Sequence, residues 1–137
     1  MYDERVTINF VKPKNAGGLH GANAGCNIKN DASGEVVKLY FKVDDETKVV
    51  EDARFKVFGC PVTIASANVA CELVKDKTLE EVLQIKDFDI IGALGKLPLN
   101  KIHCAIFVEE AIKATVENYY SRLDKESKKK EDNSDIK

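Results

Sequence analysis

The sequence predicts an α+β domain in which helices pack on one face of a small antiparallel three-stranded sheet. Three observations carry that prediction. Apolar residues alternate with period two through residues 35–60, and the period becomes helical after Pro61. The order of strands first and helices after is that of a sheet covered on one side.

The elements follow in order. Residues 14–34 hold five of the eight glycines and four asparagines, with few large apolar side chains, and read as a mobile glycine-rich loop. Val37, Leu39, Phe41 and Val43 then alternate with Val36, Lys38, Tyr40 and Lys42, the pattern of a half-buried strand. Asp44, Asp45 and Glu46 make a turn, and Ala53, Phe55 and Val57 alternate with Asp52, Arg54 and Lys56 in the next strand, giving a hairpin or a three-stranded meander. Beyond Pro61, the residues Ile64, Ala67, Cys71 and Val74 fall on one stripe of a helix. Thr78 and Glu81 form a capping box that opens a second helix. A short helix is predicted over 87–94, stopped by Gly95 and Pro98. The last helix is predicted from near Lys101 to about Leu123, with Ala105, Val108, Ile112, Val116 and Tyr119 inward. The domain so defined is 1–123. Residues 124–137 are almost wholly polar and read as a solvated, disordered tail.

A chain of 137 residues suffices for one domain with a real core. Its net charge of −2 gives no global attraction to nucleic acid or to an anionic membrane. The first residues carry Asp3 and Glu4 and no apolar stretch, unlike a signal or transit peptide. No apolar run approaches the roughly 18 residues a membrane span requires. These features predict a cytoplasmic protein with neither nucleic-acid nor membrane partners. Ser–His–Asp sets, phosphate-binding loops and dinucleotide fingerprints are lacking, so an enzyme in the ordinary sense is not expected.

The four cysteines, Cys26, Cys60, Cys71 and Cys104, contain no CxxC pair, so a metal site must draw ligands from distant segments. Cys71 sits on an apolar helical stripe and reads as a small core residue. Cys60, between a strand and Pro61, and Cys104, at the head of the last helix, lie where a helix dipole favours thiolate, the metal-binding form. His103 is adjacent to Cys104, and Glu35 opens the first long strand.

Several segments together resemble the IscU/NifU N-terminal family of iron–sulfur scaffolds. They are Lys12 to Gly17, Gly34 to Leu39, Phe55 to Pro61 with Ile64 to Ser66, and Lys101 to Cys104 with Glu109 to Lys113, in that order, with Thr78 to Glu81 between. The resemblance spans roughly residues 2–121. It implies a site at one exposed end of the domain, with Glu35, Cys60, His103 and Cys104 as ligands and Lys101 beside them. It implies a labile [2Fe–2S] cluster or iron as cargo, zinc being the alternative, and a cysteine desulfurase and apo acceptor proteins as partners. Cys104, beside His103 and Lys101, is the thiol expected to accept persulfide sulfur.

The sequence departs from the family in several places, Glu35 standing at an aspartate position and the loop lacking the family's Gly-Ala-Pro run among them. Ser33 stands where the family has its first ligand cysteine, and a hydroxyl is a poor ligand for iron–sulfide units. Cys26, seven residues earlier in the glycine-rich segment, is the candidate substitute thiol. Leu97 to Lys101 replaces the family's chaperone-docking segment, which argues against recruitment of the dedicated chaperone. Three functions therefore stand in order: a cluster scaffold and carrier, a zinc-binding sulfur relay, and a paralogue that regulates a desulfurase without carrying a cluster.

Overall fold

The computed structural model describes the backbone of residues 3–135 and the side chains of residues 3–125. Helix α1 (Glu4–Val11) is followed by strands β1 (Ala24–Lys29), β2 (Val36–Val43) and β3 (Val50–Phe58). Helices α2 (Pro61–Val74), α3 (Leu79–Val82), α4 (Asp87–Leu94) and α5 (Ile102–Asp135) complete the chain, with a 3₁₀ turn at Leu99–Lys101.

The sheet is an antiparallel meander in the order β1-β2-β3. Its inward face carries Val37, Leu39, Phe41, Val43, Ala53 and Phe55, all buried. Period two in the sequence is thus period two in burial, because successive side chains of a pleated strand point to opposite faces. Helices α2 and α5 cover that face, and α1 packs on α2. The free edge of β3 is partly closed by the N-terminal segment: Phe55 N–H donates to Asn15 O at 3.0 Å and Gly17 N–H to Phe55 O at 2.8 Å.

Helix α2 is buried on more than its expected stripe. Ala67, Cys71 and Val74 are inside as predicted, but so are Val62, Ala65, Val69 and Ala70. A helix apolar nearly all round must be enclosed, and α2 sits between the sheet, α1, α4 and α5. The capping box at Thr78 and Glu81 is formed, with each side chain bonded to the other residue's amide. Gly95 ends α4 with φ +86°, a conformation that favours glycine. In α5 the predicted inward residues Ala105, Val108, Ile112, Val116 and Tyr119 are all buried.

The structure differs from these expectations at three places. The glycine-rich stretch 14–34 is not one mobile loop, because Ala24–Lys29 forms β1, paired residue for residue with β2 from Ala24↔Phe41 to Lys29↔Val36. The pairing supplies the backbone bonds that its composition does not advertise. Residues 124–135, read from the sequence as a solvated tail, continue α5 as helix. Lysine and glutamate are good helix formers, and no glycine or proline after Pro98 interrupts them; residues 136 and 137 of that predicted tail lie outside the described residues. Helix α1 was not anticipated. Asp3 caps it by accepting from Arg5 N–H at 2.9 Å, and Val6 is its buried anchor.

Candidate functional site

Three chain segments meet at one end of the sheet. Antiparallel pairing sets Val36 against Phe58, which places Glu35, just before β2, beside Gly59 and Cys60, just after β3. The first turns of α2 and α5 are brought to the same end. Cys60 is the N-cap residue of α2 and Pro61 its first helical residue. The 3₁₀ turn then leads into α5, whose second and third residues are His103 and Cys104.

The donor atoms lie close together. Cys60 Sγ is 3.6 Å from Cys104 Sγ, and Cys104 Sγ is 3.6 Å from His103 Nε2. The candidate ligand atoms of Glu35, His103 and Cys104 all lie within 4.8 Å of one another. Two atoms bound to one tetrahedral ion at about 2.0–2.3 Å are separated by roughly 3.3–3.8 Å. The sulfur–sulfur and sulfur–nitrogen distances therefore match a shared coordination sphere. His103 is exposed, Glu35 and Cys60 are partly exposed, and Cys104 is buried, so the site opens to solvent on one side.

The two thiols are not equivalent. Burial alone would push the Cys60 thiol up. The Thr63 hydroxyl and amide, the Cys104 thiol and the Val62 amide together outweigh burial and hold it below the ordinary value of 9.0. For Cys104, burial pushes the thiol up to about 12; the Thr63 hydroxyl opposes the rise, while Cys60 and Glu35 add to it. The Cys60 thiol is thus shifted in the direction expected at a helix start, and the Cys104 thiol in the opposite one. A bound cation reverses that preference, since coordination deprotonates a thiol outright.

Thr63 and Gly59 were not singled out by the sequence. Thr63 Oγ1 donates to Glu35 Oε2 at 2.5 Å and lies 3.4 Å from Cys60 Sγ. The one signal for it was helical position, since a side chain at the third helical residue folds back over the N-cap, and the N-cap here is a cysteine. At Gly59, an added Cβ would lie 2.9 Å from Glu35 Oε2, so only glycine leaves the carboxylate its place.

The other named residues stand apart. Ser33 lines the cleft with Gly34, Glu35, Gly59 and Cys60, but its Oγ accepts from Glu35 N–H at 3.2 Å and so caps the turn before β2. Cys26, the candidate substitute thiol, is not brought to the cluster of donors. It is held in β1 opposite Leu39, about 13 Å along the strand from Glu35. Burial pushes its thiol up, against hydrogen bonding from the Thr115 hydroxyl of α5 and the Leu39 backbone. Lys101 closes the 3₁₀ turn two residues before His103, half-buried, with no hydrogen bond or ion pair from its side chain among the described residues. Cys71 is a core residue with 0% exposure, and burial pushes its thiol up to about 12.

Comparison with known proteins gives the family. The family described as NifU-like N terminal domain matches residues 1–126. The chain belongs to that family. Among curated relatives, the NifU-like domain is 43% identical over 124 residues to the iron–sulfur cluster assembly scaffold protein IscU of Escherichia coli K12, covering 88% of this chain and 95% of that protein. It is 42% identical over 125 residues to the iron–sulfur cluster assembly protein IscU of Plasmodium falciparum, covering 89% and 75%. The nitrogen fixation protein NifU of Azotobacter chroococcum is 42% identical over 118 residues, which are 86% of this chain but only 38% of that longer protein. Among solved structures, the NifU-like fold superposes with a TM-score of 0.70 on a protein of Fervidobacterium islandicum AW-1 assigned as a SUF-system iron–sulfur cluster assembly scaffold. The superposition covers 84% of this chain and 96% of that one at 23% identity, and is a likeness of fold. Among the described residues no helix is long and apolar enough to cross a membrane.

Proposed function

We propose that this protein is a scaffold on which a labile iron–sulfur cluster, of the [2Fe–2S] type, is assembled and from which it is passed on. Cys60, Cys104, His103 and Glu35 are the proposed ligands. The observation that carries the proposal is their convergence from three distant segments at a solvent-facing end of the fold, where the ligand atoms of Glu35, His103 and Cys104 lie within 4.8 Å of one another and Cys60 Sγ lies 3.6 Å from Cys104 Sγ. Mixed ligation suits the task. Oxygen and nitrogen hold sulfide-bridged iron less firmly than thiolate does, and a scaffold must release what it builds.

The sulfur source in this reading is a cysteine desulfurase. The structure favours Cys60 over Cys104 as the first acceptor, because Cys60 is the more exposed thiol and the one whose thiolate is stabilised. Its thiolate attacks the outer sulfur of the donor's persulfide; the donor's S–S bond breaks and the donor leaves as a thiolate. Phe58, 77% exposed, and Leu99, 89% exposed, precede the two ligand segments and offer apolar contacts to a partner closing over the site. Apo acceptor proteins are the proposed recipients. The role is one of holding and transfer rather than of catalysis.

Anaerobic reconstitution with ferrous iron and sulfide tests the proposal. A sulfide-to-iron charge-transfer spectrum with two irons per site is expected, and it should vanish in Cys60→Ser and Cys104→Ser. Iron uptake without a sulfide-bridged chromophore would remove the cluster from the account.

A zinc-binding sulfur relay is the second reading. The 3.6 Å separations favour it specifically, since they fit a single tetrahedral ion without rearrangement. Near-stoichiometric zinc without inorganic sulfide in freshly purified protein would select it.

A further inference from the structure

Thr63 is wholly buried (0% exposed) in the first turn of α2, among the donor groups. Its hydroxyl bonds to one oxygen of the Glu35 carboxylate, Oε2, at 2.5 Å. The other oxygen, Oε1, has no hydrogen-bond partner among the described residues. Glu35 is partly exposed, and a free glutamate there would exchange among rotamers in water. Two features suppress that freedom. Gly59 leaves a space in which a Cβ would come 2.9 Å from Oε2 and 3.2 Å from Cδ, and Thr63 ties the carboxylate into it. Held there, Glu35 offers a ligand atom within 4.8 Å of those of His103 and Cys104.

We infer that Thr63 is a positioning residue: its hydroxyl holds Glu35 Oε2 so that the carboxylate completes a four-donor metal site with Cys60, His103 and Cys104. The inference rests on the reading of this site as metal-binding and adds what sets the fourth ligand in place. A ligating carboxylate is itself hydrogen-bonded in well-ordered metal sites, and losing the outer partner weakens binding about 10–100-fold. Thr63 also lies 3.4 Å from Cys60 Sγ, so a role exerted through the thiol is the alternative the test must separate.

The probe is Co(II), titrated anaerobically into the metal-free protein and followed by its ligand-field and thiolate charge-transfer absorption. Thr63→Val, close in shape to threonine, should lose about 10–100-fold in Co(II) affinity. Its charge-transfer intensity should be retained, because both thiolates remain, while its ligand-field envelope changes. Thr63→Ser should restore wild-type binding. In a Glu35→Ala background, Thr63→Val should alter affinity by less than about twofold, as expected of a group that acts only through its partner. Gly59→Ala, which displaces the carboxylate while keeping the Thr63 hydroxyl, should reproduce the loss and keeps the inference testable if Thr63→Val does not fold.

Wild-type affinity in Thr63→Val, or an undiminished effect of Thr63→Val without Glu35, would overturn the inference and leave the metal site standing. Failure of the wild-type protein to bind Co(II) would overturn the metal-binding reading, and the inference with it.

Discussion

At the scale of single residues, the site is asymmetric. Cys60 is partly exposed and its thiol is held down, whereas Cys104 is buried and its thiol is pushed up to about 12. An alkylating agent attacks thiolate. In the metal-free protein at pH 8, Cys60 should therefore react faster than an ordinary thiol, and Cys104 and Cys71 slower by orders of magnitude. As pH falls through the lowered value for Cys60 its thiolate is protonated, so its rate should decline at a lower pH than that of an unperturbed cysteine. Peptide mapping of timed iodoacetamide labelling reads all three rates, and equal labelling of Cys60 and Cys104 would contradict the assignment. Ser33 gives a second prediction. It lines the cleft beside Glu35 and Cys60, so Ser33→Cys supplies a third thiolate there. The reconstituted cluster of that variant should lose its visible absorbance to a chelator several-fold more slowly than wild type, in keeping with the preference of soft sulfide-bridged iron for thiolate.

Individual elements are held by identifiable bonds. Thr78→Ala removes the hydroxyl half of the capping box of α3 and should cost about 1 kcal/mol in urea unfolding. The N-terminal segment is tied to α2 by a buried network: Asn68 Oδ1 accepts from the Asn15 backbone N–H at 3.0 Å and from Asn15 Nδ2 at 3.1 Å. Asn68→Ala leaves those donors buried without that acceptor and should cost about 1–3 kcal/mol in the same experiment. Elements whose period shows in the sequence were legible from it. The strands at Val36–Val43 and Val50–Phe58, the helices from Pro61 and Asp87, and the inward face of α5 all carry clear patterns. Strand β1 was not, because glycine and asparagine dominate its neighbourhood and its partner bonds come from β2. Helix α1 escaped notice because one buried residue, Val6, makes no period. In the site, Cys60, His103 and Cys104 could be named because thiol and imidazole chemistry is scarce in any sequence. Glu35 needed the resemblance, one carboxylate among 23 acidic residues being no signal. Thr63 and Gly59 were missed because a hydroxyl and a missing Cβ acquire meaning only against a neighbour.

The whole molecule is a device for bringing distant residues to one end. The antiparallel register delivers Glu35 to Cys60, and the packing of α2 and α5 on the same face of the sheet delivers Cys60 to Cys104. Any local sequence motif would be too short to do this, which is why the fold is needed for the chemistry. Loss of core packing should therefore weaken the site together with the fold. Leu39→Ala, a fully buried truncation in the central strand, should cost about 3–5 kcal/mol and weaken metal retention in parallel, as read by unfolding and metal analysis of the same samples. The central claim, that these four side chains hold an iron–sulfur cluster, is tested most directly by iron, zinc and acid-labile sulfide analysis of protein isolated without oxygen. The account predicts iron and sulfide in equal amounts, both lost in Cys104→Ser; near-stoichiometric zinc with no sulfide would contradict it.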